Sequence, residues 1–484
     1  MPASPLPNDP WRGIGASDLK QLLAAALLPS PSPVLAGLTA RVLAGGDQAG
    51  GEELALRVSA LERAGRVEEA GGLLSRAVGS NDPYLLGRYA LVLLALGRGD
   101  EACEIHLGQA LQATPAVGTA KQALLVPAYC AAAGGDAAGA RLALQLAREG
   151  GADTSVASAT LGQRQAPIPK TVGVADYLFL SLGEKRPGAE LAAKADPELL
   201  FLLARDGTAP AELRVAAAER PASLNIIAGE ELARAYRESA QASKTARSPP
   251  APRAKLFAAF EAAPSAKIRA ESIAALLESA RDQGNEVPIA EALARANAGL
   301  VQDPQADAFA ETGIRVAALA GDEQSAWAWI DASGERLRSW QLLLAAGDPS
   351  GPRAEAALAH GVELALQGRL PPPLLHRLVT VLDALNHEVP VPLWDEAGKS
   401  PQPMDGDLPP TGMLTSLKQA ADAGEIGRTV LLVAAVLGPK GAAGAHLIAL
   451  GDALRALKRV GLDQEARRLG FEALYAHWPA RGRA

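Results

Sequence analysis

Arg63–Ala77 reads RAGRVEEAGGLLSRA, and Ala95–Ala110 reads ALGRGDEACEIHLGQA. In each, a glycine ends one apolar stretch, and five residues later a small alanine lies inside the next. The same offset joins Gly65 to Ala70, Gly97 to Ala102, Gly135 to Ala140, Gly321 to Ala326 and Gly461 to Ala466. The flanking positions follow the same register. Sixteen residues before each alanine stand Leu54, Leu86, Leu124, Ala310 and Leu450, and twelve before stand Val58, Ala90, Ala128, Ile314 and Leu454. Nine before come Leu61, Leu93, Ala131, Ala317 and Leu457; seven after come Ala77, Gln109, Ala147, Ser333 and Ala473. Apolar residues therefore stripe a first helix, and small residues stripe the facing side of a second. Small residues let the two backbones approach, and glycine supplies the turn between them.

On these residues the chain resembles the tetratricopeptide repeat family, whose unit is a helix pair of ~34 residues with small residues at fixed places in both helices. The first copy closes with Asn81-Asp82-Pro83, where that family often carries a proline, and the second with Thr114-Pro115. Ala70, Ala102 and Ala140 are 32 and 38 residues apart, and no tryptophan occupies the family's first aromatic position. The resemblance implies an all-α fold, an α-solenoid of stacked antiparallel helix pairs, because one such pair cannot bury its apolar stripe alone.

The chain divides by its Pro- and Gly-rich punctuation. Residues 1–16 read as a disordered or draped arm anchored by Trp11, and 17–150 as N-terminal helical repeats with Ser17 capping the first helix. Pro127 should kink or shorten its helix. Residues 151–171 read as a linker, 172–242 as irregular helical repeats, and 243–253 as a Pro-rich linker. Helical repeats resume over 254–386, a Pro-rich loop covers 387–410, and 411–484 hold a last repeat and cap.

Composition narrows the function. Aromatic residues make up 4% of the chain, and few runs alternate with period two, so sheet content should be near zero. A net charge of −7 does not steer the chain toward nucleic acid, and the Lys244–Lys255 run reads as a solvated linker. No membrane insertion is expected: the best apolar stretch, Thr429–Leu450, is interrupted by Pro439, Lys440 and glycines. Met1–Asp9 lacks a basic n-region, so the chain as given reads as cytoplasmic, or periplasmic if a signal peptide was removed. Cys103 and Cys130 fall on adjacent helices of neighbouring copies. A bridge is conceivable there, but two buried free thiols are the favoured reading.

Catalytic and cofactor signatures are absent from the sequence. No glycine loop ends in Gly-Lys-Ser/Thr, and the six histidines show no metal-ligand spacing, so no cofactor, no metal and no enzyme activity are expected. Ser17-Asp18-Leu19-Lys20 matches Ser-x-x-Lys without that motif's companions. The more informative stretch is AWAWIDASGERLRSW, carrying Trp327, Trp329 and Trp340. Residues two apart on a helix point to nearly opposite sides, so Trp327 and Trp329 cannot share one stripe. At least one is a candidate binding anchor, although large aromatics filling an Ala-rich core are the favoured reading. Trp394, between prolines in the 387–410 loop, is a second candidate, with docking onto its own repeats favoured.

The function expected is a non-catalytic scaffold binding a protein or peptide partner on its concave face. By analogy with GC-rich bacterial composition, it would serve an assembly or envelope system. The alternative is a solenoid that binds a glycan or other small ligand through a groove lined by these tryptophans.

Overall fold

The computed structural model describes residues 4–46, 51–77, 82–107, 120–162, 168–183, 187–245, 251–281, 284–347 and 353–478. Among them every regular element is a helix, and the sole strand-like feature is an isolated bridge between Val172 and Ala195. The chain is all-α.

The quoted turns share one geometry. Gly65, Gly97, Gly135, Gly321 and Gly461 all have positive φ, between 69° and 81°. In each, the glycine N–H donates to the carbonyl three residues back, and the next N–H donates to the carbonyl five back, at 2.8–3.1 Å. This is the Schellman closure, which satisfies carbonyls that a helix end would otherwise leave unpaired. Five residues on, Ala70, Ala102, Ala140, Ala326 and Ala466 are fully buried, as are Leu61, Leu93, Ala317 and Leu457 before the turn. Ala77 and Gln109 have no described side-chain placement. The same two hydrogen bonds close turns at Gly151, Gly368 and Gly424, and at Asn225 and Asn386, whose φ values are 57° and 59°.

The chain forms two compact units, Leu54–Ala258 and a second made of Met1–Glu53 with Ala259–Ala484. In the first, helix Pro83–Ala95 packs on Gly99–Leu107, Val126–Ala133 on Ala137–Glu149, and Ala211–Ser223 on both Pro197–Arg205 and Gly229–Thr245. Pro127 sits in the first turn of Val126–Ala133 and separates it from the short helix Ala120–Ala123. Cys103 and Cys130 form a disulfide joining Gly99–Leu107 to Val126–Ala133, which corrects the expectation of free thiols. The physical reason is proximity, because these two helices pack against each other.

In the second unit, described segments near the start and the end of the sequence pack together. Trp11 is buried, its Nε1 donates to the Val42 carbonyl at 2.9 Å, and its ring lies against Gly427. The described part of the expected arm is thus docked, and helices Ala16–Ala25 and Pro33–Ala44 pack on Ile426–Leu437. Ser4 N–H and Arg41 both donate to Glu465, while Ser32 Oγ and Val34 N–H donate to Glu472. Ser17 does not cap: the helix begins at Ala16 with Gly15 at its N-cap, and Ser17 is exposed in the first turn.

Two expected connections contain helices, Ser155–Leu161 in the first and Val391–Gly398 in the Pro-rich loop. Of the 243–253 linker, residues 246–250 lie outside the described residues, and the rest includes the end of helix Gly229–Thr245 and the start of helix Pro252–Glu261. Ile426–Gly444, 19 residues, is long and apolar enough to cross a membrane by length and composition alone. Its α-helix nevertheless ends at Leu437, and Gly438 and Gly441 have φ of 66° and 58°, so proline and glycine do interrupt the stretch as expected. Pro439 is accommodated in a short 3-10 turn, and 61% of the apolar window is buried inside the unit.

Candidate functional site

The four tryptophans named from sequence separate by burial. Trp329 and Trp340 are 2% and 3% exposed, so both belong to the core and neither is an exposed anchor. Trp329 lies flat on Gly313, where a side chain would collide with the indole, and the Gly313 carbonyl accepts from Asn297 Nδ2 at 2.8 Å. Trp327, on the opposite side of helix Glu323–Ser333, is half-buried, with the Arg353 guanidinium 5.1 Å from its ring centroid. Trp394 is 48% exposed. Its neighbour Leu393, fully buried, anchors the helix instead, which corrects the expectation that Trp394 docks onto the repeats.

Trp340 has a second role. Its ring packs 6.4 Å from both Tyr475 and Trp478, tilted by 45° and 50°. These rings form one wall of a cleft with a volume of about 530 Å³, within the second unit. Four elements build it. Helix Arg338–Gly347 supplies Trp340, and helix Asp463–Tyr475 ends at Tyr475, with Trp478 just beyond. Helix Ala310–Leu319 carries Arg315 from the opposite side, and Glu286 opens helix Glu286–Ala298, where the helix dipole favours a carboxylate.

Arg315 is the hub. Its Nη2 donates to Glu286 Oε1, and its Nε donates to the Tyr475 hydroxyl at 3.3 Å. The Tyr475 hydroxyl donates in turn to Glu286 Oε1 at 3.3 Å. At the rim, Glu278 lies 4.0 Å from Arg315 and 3.4 Å from Arg281. Burial disfavours the Arg315 charge, but Tyr475 and Glu286 outweigh it and hold the guanidinium above the ordinary arginine value. Burial, together with the Glu286 charge, pushes the Tyr475 hydroxyl up to about 12 against the opposing pull of Arg315. The phenol therefore stays protonated at neutral pH and keeps its hydrogen bond to Glu286. Chemically, the cleft offers a fork of donors, a carboxylate acceptor and the half-buried rings of Tyr475 and Trp478.

Buried carboxylates also lie in the other unit. Burial raises the Glu198 and Asp196 carboxyls above the usual carboxylate range. Asp196 caps helix Pro197–Arg205 by accepting from Leu199 N–H, and Glu198 feels Arg88, which is paired with buried Glu62. Among the described residues, no group of three or more His, Cys, Asp or Glu side chains is placed to hold a metal ion. No family model matches the chain, and neither a curated protein nor a solved structure does.

Of the cleft residues, sequence reading singled out Trp340 alone. Arg315, Glu286 and Tyr475 are ordinary helix residues up to 189 positions apart, and no local pattern marks them as partners. Tyr475 and Trp478, three residues apart at the end of an amphipathic helix, are the one signal available to a sequence reader.

Proposed function

We propose that this chain is a non-catalytic helical-repeat protein, with solenoid-like stacking of helix pairs, that binds a small ligand in the Arg315–Trp340–Tyr475–Trp478 cleft. The observation that carries this reading is the cleft itself. Its volume of about 530 Å³ falls in the ~300–1,000 Å³ range of small-molecule sites, and its polar groups converge on an aromatic wall. The recurring glycine turns with buried alanines five residues on support the repeat architecture. The disulfide supports an oxidising compartment as the place of work.

A thermal-shift screen of metabolites tests the reading, run on the wild type and on Trp478→Ala in parallel. A compound that raises the melting temperature of the wild type, and not of the variant, supports it. Hits that stabilise both equally place the site elsewhere and contradict it.

A second reading, a protein or peptide partner, is favoured by one feature. Val391, Trp394, Met404 and Leu408 are 48–82% exposed within one 18-residue segment, a concentration of apolar surface typical of contact sites. Mild cross-linking with affinity purification tests it. A stoichiometric partner lost with Trp394→Ala, and retained with Trp478→Ala, would put protein binding first.

A further inference from the structure

Resting on the reading of this cleft as a ligand site, we propose that its ligand is a neutral polyhydroxylated ring, a sugar unit of a saccharide.

Charge pairing disfavours the ionic alternatives. Arg315 is engaged by Glu286 and faces Glu278, and Arg281 is also held by Glu278. A phosphate or carboxylate would meet the carboxylates of Glu278, Glu286 and Glu311 that line the cleft, or would have to displace Glu286 from Arg315. An ammonium or guanidinium group drawn to those carboxylates would sit beside Arg315 and Arg281 and lose part of the attraction. A neutral ligand meets neither cost.

The same pairing suits hydroxyl groups. Arg315 has five N–H donors in a planar fork, and its Nη1 lies 4.0 Å from Glu278. Each Glu286 oxygen can accept more than one hydrogen bond, and the bonds from Arg315 and Tyr475 both go to Oε1. A donor fork beside a carboxylate acceptor matches neighbouring hydroxyls, each of which both donates and accepts. The pair is fixed before the ligand arrives, so little side-chain entropy is lost on binding. The rings complete the fit. Buried Trp340 is tilted against both Tyr475 and Trp478 and backs these two half-buried rings, which give an apolar wall for the C–H faces of a sugar ring.

The test is a tryptophan-fluorescence titration of the full chain, repeated by saturation-transfer NMR. The probes are neutral mono-, di- and trisaccharides based on glucose, galactose, mannose and N-acetylglucosamine, with inorganic phosphate and L-arginine amide as charged controls. At least one saccharide is expected to bind, and affinity should fall tenfold or more in both Trp478→Ala and Arg315→Gln. Trp478 follows the last helix, so its variant keeps the test valid if Arg315→Gln fails to fold. Binding of phosphate or of L-arginine amide with loss in the same variants overturns the saccharide proposal while leaving the cleft as a ligand site. Saccharide binding unchanged in Trp478→Ala, or no saccharide binding, also overturns it; the metabolite screen then decides whether the cleft binds anything.

Discussion

Any side chain on Gly313 would run into the Trp329 ring. This contact decides what two substitutions should do. Gly313→Ala overpacks a filled core and should cost about 1–3 kcal/mol. Trp329→Ala leaves a cavity and should cost about 3–5 kcal/mol. Trp394→Ala, by contrast, removes an exposed ring and should stay within about 0.5 kcal/mol of wild type. Denaturant titration of the three variants checks the order; equal stability of Trp329→Ala and Trp394→Ala would contradict the burial difference. The sequence rule that residues two apart on a helix face apart was sound, since Trp327 and Trp329 do differ in burial. What it could not supply was which of them faces inward, because that depends on Gly313, sixteen residues earlier on the neighbouring helix.

Among elements, the Schellman turn is the most legible feature and the most testable. At Gly97 and Gly461 an added Cβ would meet no atom within 4 Å, so the sole obstacle to a side chain is positive φ. Replacing either by alanine should cost about 1–2 kcal/mol. Asparagine should cost less, as Asn225 and Asn386 already occupy the same position. Thermal unfolding that ranks Gly, Asn, Ala in falling stability would bear this out, and an alanine variant as stable as wild type would not. The two asparagine turns escaped a search keyed to glycine. The helices at Ser155–Leu161 and Val391–Gly398 escaped because proline and short polar residues read as loop. Yet Pro392 sits in a first turn, where its missing N–H costs nothing. The disulfide links two helices across 27 residues, and chain entropy assigns such a loop about 3–4 kcal/mol. Adding reductant should lower the unfolding free energy of the 54–258 unit by that order, and with it the midpoint. An unchanged midpoint after thiol titration has verified reduction would contradict a structural role.

At the scale of the whole molecule, the second unit is assembled from both ends of the chain. Glu465 and Glu472 on the last helix hold Ser4, Arg41, Ser32 and Val34 near the start. Burial pushes the Glu472 carboxyl up to about 7, with bonds from Ser32 and Val34 and the Arg468 charge only partly offsetting it. A folded-state value raised above the unfolded one favours folding most below about pH 4.5, and that advantage is lost as pH rises through about 7. Hydrogen exchange of helix Pro33–Ala44 should therefore be slower at pH 5 than at pH 8 after correction for intrinsic rates. Glu472→Gln should flatten the difference; an unaltered pH dependence in that variant would assign the effect elsewhere. Neither this closure nor the cleft was legible in the sequence, because each joins residues that share no spacing pattern. The local helix pairs were legible, because their glycine, alanine and leucine positions repeat.

Native mass spectrometry of the chain, purified gently from its own cell beside Trp478→Ala, tests the ligand-binding reading most directly. The wild type is expected to carry a small-molecule adduct of a few hundred daltons, by the scale of a drug-sized site, and the variant to lose it. An adduct kept in full by Trp478→Ala, or no adduct on either protein, would contradict the assignment of this cleft as the binding site.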